Sequence, residues 1–251
     1  MRTIDLNSDL VESFGAYKMG RDEDVLAYIS SANVACGFHA AYPLTMVKTV
    51  RLAKARGVAV GAHPGYPDLV GFGRREMKIA PEEVRAMVIY QIGALAACCA
   101  SEGIRLHHVK PHGAMYNMAA KDPRLADAIC DAVAAVDEGL ILYGLPGSEV
   151  ERAARVKGLR FAAELFADRA YEEDGSLVSR SKAGAMITDE TEAISRMVRV
   201  LREGKLTSIT GKDIALSGDT ICVHGDGEKA LAFTSLLRER LLAEGMLVQA
   251  L

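Results

Sequence analysis

Short apolar runs alternate with amphipathic helical patterns along the whole chain. The helical pattern is clearest after Pro81, where apolar residues recur at spacings of three and four: Val84, Val88, Ile92, Leu95 and Cys99. The segment 205–219 is weakly patterned and is predicted to be a loop or a small hairpin. The apolar runs are predicted to be strands, and they cover 3–7, 32–36, 58–61, the run ending at 109, 140–145, 161–166 and 220–223.

Seven predicted strands with helices between them indicate an α/β fold with a parallel sheet and helical crossovers. No change in composition marks a domain boundary, so we expect residues 1–251 to form a single domain. A closed seven-stranded (β/α) barrel is favoured over an open sheet. In such a barrel the carboxyl ends of the strands converge on one face, where chemistry is done.

The composition excludes several classes of protein. The net charge is -3, and no basic stripe with interleaved aromatic residues is present, so we expect no nucleic-acid partner. The N-terminus is polar where a signal peptide needs its apolar core, and no uninterrupted apolar run approaches the roughly 18 residues that span a bilayer. The cysteines number 5, with no Cys-x-x-Cys, which argues against a disulfide framework. We expect a reduced, cytoplasmic protein without a membrane partner.

All the histidines lie in or beside predicted strand ends. We expect His39, His63 and His112 to line a common pocket, because the ends that carry them converge. His107 and His108 point to opposite sides of a strand, so at most one of them shares this pocket. The remaining histidine is His224, which follows the last strand together with Asp226.

The stretch 107–117 concentrates polar groups at the end of the fourth strand. Lys110 and His112 are two residues apart, so both can face the same side of an extended chain. Pro111 stiffens the exit from the strand, and Tyr116 and Asn117 follow at once. This pattern is typical of a strand end that holds a ligand.

A second cluster of candidates lies where the first strand passes into its loop. Asp5, Asn7, Asp9 and Glu12 place three carboxylates and an amide together, and a pocket can convert one such carboxylate into a general acid or base. A helix N-terminal cap would explain Asp9 and Glu12 but not Asp5. We therefore favour a functional interpretation.

Imidazole and carboxylate ligands suit zinc or manganese, which makes His39 and His63 candidate metal ligands. No standard zinc spacing is present, and Lys110 in the same pocket would repel a cation, so a divalent metal stays an open alternative. No phosphate-binding glycine loop follows the first strand. Cys36 lies three residues before His39, either as a nucleophile or, as is more common, as a small buried apolar residue.

A charged group surrounds the sixth strand. Its members are Glu164, Asp168, Arg169 and, further along the chain, Arg180. Two interpretations remain open: an ion-pair network that holds the loop 171–184, or an arginine that binds a substrate carboxylate, which its planar fork suits.

Seven segments taken together resemble the LamB/YcsF family. They occur in order from the first strand to the last, namely Asp5-Leu-Asn-Ser-Asp9, the run 31–40 with Asn33 and His39, the run 61–68 with His63, Gly71-Phe-Gly-Arg74, the run 108–113 with Lys110, Glu164-Leu-Phe-Ala-Asp-Arg169 and Val223-His-Gly-Asp226. Family members are A subunits of the prokaryotic ATP-dependent 5-oxoprolinase, with a seven-stranded barrel related to sugar deacetylases.

The resemblance implies an amidohydrolase that opens the lactam 5-oxoproline to glutamate, coupled to ATP hydrolysis, with partner subunits B and C and possible self-association. A partner is expected to supply the ATP chemistry. The resemblance also implies that Asp9, Glu12, His39, His63, Lys110 and His112 are catalytic. The expected substrate-binding residues are Asp5, Asn7, Asn33, Tyr116, Asn117, Glu164, Asp168, Arg169, Arg180, His224 and Asp226.

Three positions depart from the family pattern, which usually has Cys, Gly and Asp where this chain has Ser8, Val11 and Tyr42. These changes leave two further functions open. One is a metal-dependent deacetylase acting on a carbohydrate, by analogy with the related barrels. The other is a non-catalytic subunit that binds a carboxylated ligand.

Overall fold

The computed structural model describes residues 2–10, 22–223 and 228–251, without the side chains of 22 and 228–230. The predicted site residues Glu12, His224 and Asp226, and the departure at Val11, lie outside the described residues. Within the described ranges the strands are β1 (Thr3–Leu10), β2 (Ser31–Ala35), β3 (Ala59–His63), β4 (His108–Val109), β5 (Ile141–Gly144), β6 (Arg160–Phe166), β7 (Lys205–Thr207), β8 (Asp213–Ala215), β9 (Thr220–Val223) and β10 (Leu247–Val248).

Seven of these strands form a closed parallel barrel in the order β1-β2-β3-β4-β5-β6-β9, and β9 closes it against β1. The predicted α/β barrel is therefore confirmed. β7 and β8 pair antiparallel, which confirms the small hairpin expected in 205–219. β10 adds to the start of β1, with Ile4 opposite Val248. The sequence pattern missed β10 because two residues are too short to show periodicity.

Helices cover the outside of the barrel. They are α1 (Asp22–Val25), α2 (Pro43–Arg56), α3 (Pro81–Ser101), α4 (Gly113–Ala119), α5 (Pro123–Val136), α6 (Glu149–Lys157), α7 (Glu190–Glu203) and α8 (Glu228–Ala243). α1 is shorter than the helix expected near 23–30. α4 was not predicted as a helix, because its seven residues follow directly on the polar end of β4.

Local chemistry sets where several helices begin and end. Ser148 accepts a hydrogen bond from the Glu151 amide at the start of α6, which confirms the predicted cap. α2 has Pro43 in its first turn and ends at Gly57, whose φ of 66° is the left-handed conformation that glycine adopts readily.

α3 is the longest helix and the most apolar. It is long and apolar enough to cross a membrane by length and composition alone, a test that core helices also pass. All five residues of its predicted apolar face are buried, and the helix packs against α5 and β3. We therefore interpret α3 as part of the outer helical layer of the barrel.

Gly61 leaves room for a buried imidazole inside the barrel. A Cβ at this position would overlap the ring of His108, which stacks on Tyr143 at 4.2 Å and hydrogen-bonds Asn33 at 2.7 Å. We expect Gly61→Ala to destabilise the fold by about 1–3 kcal/mol, as for other overpacked core positions, measured by urea unfolding.

Gly93 provides the matched control for this substitution. It is exposed within α3, and apart from the adjacent backbone of its own helix nothing lies within 4 Å of a Cβ built there. Gly93→Ala should stabilise the protein by roughly 0.5–1 kcal/mol, because alanine is the better helix former. Equal unfolding midpoints for Gly61→Ala and the wild type would contradict this account of the interior.

Candidate active site

β1 arranges its polar residues in layers along the barrel axis. Successive side chains of a strand face opposite sides, so Asp5, Asn7 and Asp9 all point inward, while Ser8 points away from the interior. Each of the three inward residues meets polar groups from neighbouring strands at its own level. The barrel interior is therefore a stack of hydrogen-bonded layers that ends at Asp9 near the carboxyl ends of the strands.

The lowest layer is built around the Asp5 carboxylate. Asp5 is completely buried and accepts hydrogen bonds from Ser30 (2.6 Å), Ser31 (2.8 Å), Tyr143 (3.0 Å) and Thr220 (2.6 Å). Four hydroxyl donors satisfy a buried carboxylate well. Asp5 therefore supports the barrel from below, and it does not line the cavity formed by the described residues.

The middle layer is a chain of side-chain hydrogen bonds. The Asn7 side-chain amide donates to the Thr220 hydroxyl (2.7 Å), and the Asn33 side-chain amide donates to Asn7 Oδ1 (2.7 Å). Asn33 Oδ1 in turn accepts a hydrogen bond from His108 Nε2, also at 2.7 Å. Burial, followed by the neighbouring charges, holds the pKa of His108 well below its usual value, so this ring is a neutral donor. His107 instead contacts the Leu251 carbonyl oxygen, which confirms that only one of the pair faces inward.

Lys110 occupies the floor of the cavity. Its ammonium lies 2.9 Å from Asp9 Oδ1 and 2.7 Å from Glu164 Oε1, with the Cys222 sulfur at 3.1 Å. Burial acts to lower the pKa of Lys110, but the carboxylates of Asp9 and Glu164 raise it well above its usual value. The result is one buried ammonium held between two carboxylates that come from opposite parts of the chain.

Three histidines meet beside this floor, which confirms that the strand ends carrying them converge. Ligand atoms of His39, His63 and His112 all lie within 4.8 Å of one another, and all three rings are buried. His63 Nε2 lies 2.9 Å from His112 Nδ1 and 3.4 Å from Asp9 Oδ2. His39 lies behind them, stacked on His112 with 3.8 Å between the ring centroids, and it does not line the cavity, so the expectation of a common pocket is wrong for His39. Burial, and then the nearby His63, lower the pKa of His112 to about 3.

A cavity of about 760 Å³ opens above these groups. Asp9, His63, Lys110 and His112 line it on one side, and further along its wall lie Tyr116, Asn117, Phe166, Arg169 and Arg180. Tyr116 is buried and packs edge-on against Phe166 with centroids 5.8 Å apart. Burial, and then the Glu164 carboxylate, raise the pKa of Tyr116 well above its usual value, so its hydroxyl keeps its proton.

Three arginines line the cavity, and two of them, Arg74 and Arg180, are exposed. Arg169 is buried, and its Nη2 donates to the Val178 carbonyl oxygen at 2.6 Å, while its Nε has no hydrogen-bond partner among the described residues. Burial, and then the like charge of Arg180, lower the pKa of Arg169. A guanidinium in this position favours a ligand anion in the cavity.

The charged group expected around the sixth strand is divided in the structure. Glu164 is fully buried and pairs with Lys110 inside the barrel, so it does not hold the loop 171–184. Arg169 and Arg180 line the cavity, whereas Asp168 is not among its lining residues. The Asp168 carbonyl oxygen accepts from the Ile187 amide at 2.8 Å, beside the loop.

Cys36 is unsuited to act as a nucleophile. Its thiol donates to the Val34 carbonyl oxygen at 3.1 Å, and burial raises its pKa to about 12. The apolar interpretation of this residue is therefore preferred. All five cysteines are unpaired.

Several groups of the site were given no role by sequence reasoning. They are Cys222 beside Lys110, Tyr143 and Thr220 below it, and Phe72, whose carbonyl oxygen contacts His112 Nε2 at 2.8 Å. The alternation of side chains along β9 could have identified Thr220 and Cys222, which are two residues apart. Phe72 lies in the segment 71–74 that carries the family resemblance, but its contact is made by a backbone carbonyl, which the residue type does not predict.

The chain belongs to the LamB/YcsF family, whose model matches residues 4–251. A relative from Clostridium beijerinckii, named as the A subunit of 5-oxoprolinase, is 61% identical over 246 residues, covering 98% of this chain and 96% of the relative. The crystal structure of a lactam utilization protein from Thermus thermophilus superposes with a TM-score of 0.94 at 50% identity, covering 99% of this chain and 100% of that one.

A more distant structure is similar in fold alone. A family 4 carbohydrate esterase from Streptomyces lividans, solved with acetate, has a TM-score of 0.51 at 11% identity, covering 98% of this chain and 91% of that one. This likeness confirms that the barrel has the same overall fold as a carbohydrate esterase.

Two of the three departures from the family pattern are described, and both lie away from the cavity lining. Ser8 is buried on the outer side of β1, and no described residue hydrogen-bonds its hydroxyl. Tyr42 is the N-cap residue of α2, and its backbone amide donates to the Thr45 hydroxyl at 3.0 Å. Neither change alters a described group of the floor.

Proposed function

We propose that this chain is the A subunit of an ATP-dependent 5-oxoprolinase and that its barrel opens the lactam ring. Relatives named as the A subunit of 5-oxoprolinase match this chain over nearly its whole length at 61% and 56% identity. The structural observation that carries the proposal is the buried ammonium of Lys110 between Asp9 and Glu164, facing a cavity with Arg169 in its wall.

The reaction needs electrostatic help because a five-membered lactam is an unreactive amide. Overall, one water adds across the ring C–N bond to give glutamate, and a second water is consumed as ATP becomes ADP and phosphate. Phosphoryl transfer to the lactam oxygen places negative charge on the phosphoryl group at that oxygen, and the later attack of water on the ring carbon moves an electron pair onto the ring nitrogen. A fixed ammonium in a water-poor site stabilises such charge as it develops, and this is the role we assign to Lys110.

Water delivery is assigned to the side of the floor formed by Asp9 and the histidines. Asp9 Oδ1 is held by Lys110 and by Asn33 Nδ2 (2.8 Å), which directs Oδ2 towards His63. A carboxylate fixed in this way can accept a proton from an attacking water. Glu164 and Tyr116 complete the opposite side, where the hydroxyl of Tyr116 can donate to the substrate.

The α-carboxylate of 5-oxoproline is assigned to the arginines of the wall. Arg169 presents a buried guanidinium whose Nε has no hydrogen-bond partner within the part of the chain that the structure describes, and Arg180 lies at the same cavity. Planar guanidinium groups bind carboxylates through paired hydrogen bonds. Asn117 lines the same wall and donates to the Gly113 carbonyl oxygen (3.0 Å).

ATP chemistry is assigned to the partner subunits B and C. Phosphoryl transfer from ATP to the lactam oxygen would activate the ring. After water attacks the ring carbon, the C–N bond breaks as nitrogen gains a proton, and a second water hydrolyses the resulting acyl phosphate. The sequence of this chain contains no phosphate-binding glycine loop, in keeping with a division of labour between subunits.

Replacing Arg169 tests the carboxylate assignment. Arg169→Gln should raise KM for 5-oxoproline about 10- to 100-fold with a smaller change in kcat, because a hydrogen bond to a charged group contributes roughly 1.5–3 kcal/mol. Steady-state kinetics of the reconstituted complex measure both constants. Arg155→Gln is the control, since Arg155 pairs with Glu151 on the surface of α6. An unchanged KM in folded Arg169→Gln would refute the assignment.

The function itself is tested by a substrate comparison. The chain, combined with candidate B and C subunits, is given either 5-oxoproline with ATP or an N-acetylated chitooligosaccharide. We expect glutamate from the first substrate and no acetate from the second. Acetate release without glutamate would replace the proposal with the deacetylase alternative. Tight binding of 5-oxoproline without either product would favour the non-catalytic alternative.

A further inference from the structure

The hydrogen bonds of His63 and His112 fix which ring nitrogens carry protons. His63 Nδ1 lies 2.7 Å from the Lys110 carbonyl oxygen, and His112 Nε2 lies 2.8 Å from the Phe72 carbonyl oxygen. A carbonyl oxygen can only accept, so both of these ring nitrogens are N–H donors. The other nitrogens, His63 Nε2 and His112 Nδ1, then present lone pairs in the neutral rings.

These two lone-pair nitrogens face each other at 2.9 Å. Asp9 Oδ2, a third electron-pair donor, lies 3.4 Å from His63 Nε2. Three such atoms repel one another unless a cation lies between them. Their spacing suits a cation, because two ligands about 2.1 Å from one ion lie about 3.0–3.4 Å apart at octahedral or tetrahedral angles.

We propose that His63, His112 and Asp9 bind a divalent transition-metal ion at the edge of the cavity floor. Two imidazoles and one carboxylate are a donor set that zinc, manganese and iron(II) accept. The hydrogen bonds from both rings to backbone carbonyls are the support that metal-binding histidines usually have. An ion held here would lower the pKa of a coordinated water and polarise a carbonyl. Asp9 would then be a ligand of the ion, in place of the general-base role that it has without a metal.

This placement differs from the pair expected from the sequence, His39 and His63. The rings of His39 and His112 are parallel within 3° with centroids 3.8 Å apart. No single point lies in both ring planes, so an ion bound in the plane of His112 is not shared with His39. We assign His39 to packing, where it fixes the orientation of His112.

The local charges fit a divalent ion despite the nearby ammonium. Asp9 and Glu164 place two carboxylates around the single ammonium of Lys110, all within ion-pair distance. These three groups together carry one excess negative charge, and Arg74 adds a positive charge near His39 and His112. A divalent ion would make this part of the cavity more positive, so the ion and the anionic substrate would favour each other's binding.

The metal-site inference rests on the proposed function, but it is tested by metal content and not by activity. A negative result for the metal can therefore be distinguished from a failure of the proposed function. The chain is stripped with EDTA, dialysed against zinc or manganese chloride, and analysed by inductively coupled plasma mass spectrometry. We expect about one ion per chain in the wild type, and a fall below about 0.1 in His63→Gln and in His112→Gln. His39→Phe keeps a stacked ring and should retain the metal.

A second readout covers variants that fail to fold. Either metal salt should raise the melting temperature of the wild-type chain, and EDTA should reverse the rise. Absence of both stoichiometric metal and a shift in melting temperature would overturn the proposal. The short contact between His63 and His112 would then be explained by a proton shared between the two rings. Loss of metal in a folded His39→Phe, with retention in His112→Gln, would instead support the pair expected from the sequence.

Discussion

Lys110→Met is expected to lower kcat/KM for 5-oxoproline by about three orders of magnitude or more, because it removes the charge that stabilises the reacting oxygen. The substitution should also lower stability by roughly 3–5 kcal/mol, since it leaves the buried carboxylates of Asp9 and Glu164 without their shared cation. Glutamate release by the reconstituted complex and urea unfolding of the chain measure the two effects.

A second substitution separates the two roles of this lysine. In Lys110→Met/Glu164→Gln the fully buried carboxylate is neutralised, so part of the lost stability should return while activity stays low. Lys157→Met is the control, because Lys157 pairs with Asp131 on the surface between α5 and α6. Wild-type turnover by folded Lys110→Met would remove Lys110 from the chemistry.

Asp9→Asn is expected to reduce kcat by about 10²- to 10⁴-fold with little change in fold, because the amide keeps the shape of the carboxylate but accepts no proton. Lys110 retains Glu164 as its partner, so the cost in stability should be small. Steady-state kinetics and thermal melting test both parts of this prediction.

Asp5→Asn is the matched comparison on the same strand. Asp5 lies two layers below Asp9 and accepts four hydroxyl hydrogen bonds, so this change should cost about 1–3 kcal/mol of stability but leave kcat near the wild-type value. If Asp5→Asn loses as much kcat as Asp9→Asn, then Asp5 contributes to catalysis and does not only stabilise the barrel. A raised KM would favour the predicted contact between Asp5 and the substrate.

Local patterns were sufficient to predict the barrel and much of its floor. Alternation along β1 places Asp5, Asn7 and Asp9 on one side, and the parallel strand order brings His63 and Lys110 to the same end. These inferences succeed because side-chain direction in a strand and the convergence of strand ends follow from backbone geometry.

Other features depend on contacts between distant parts of the chain. The pair of Glu164 with Lys110 crosses the barrel, and charge patterns along the sequence instead grouped Glu164 with Arg169. The parallel stacking of His39 on His112 depends on ring orientation, which spacing does not encode. Gly61 leaves space for His108, a need that appears only once β3 and β4 are paired.

The most direct test of the central claim is glutamate release from 5-oxoproline with ATP, measured for this chain alone and together with the B and C subunits. We predict glutamate only in the presence of the partners, and a fall to background when Lys110→Met replaces the wild-type chain in the same mixture. Glutamate from the chain alone would contradict the assignment of ATP chemistry to the partners. Full glutamate release from the mixture containing Lys110→Met would place ring opening outside this barrel.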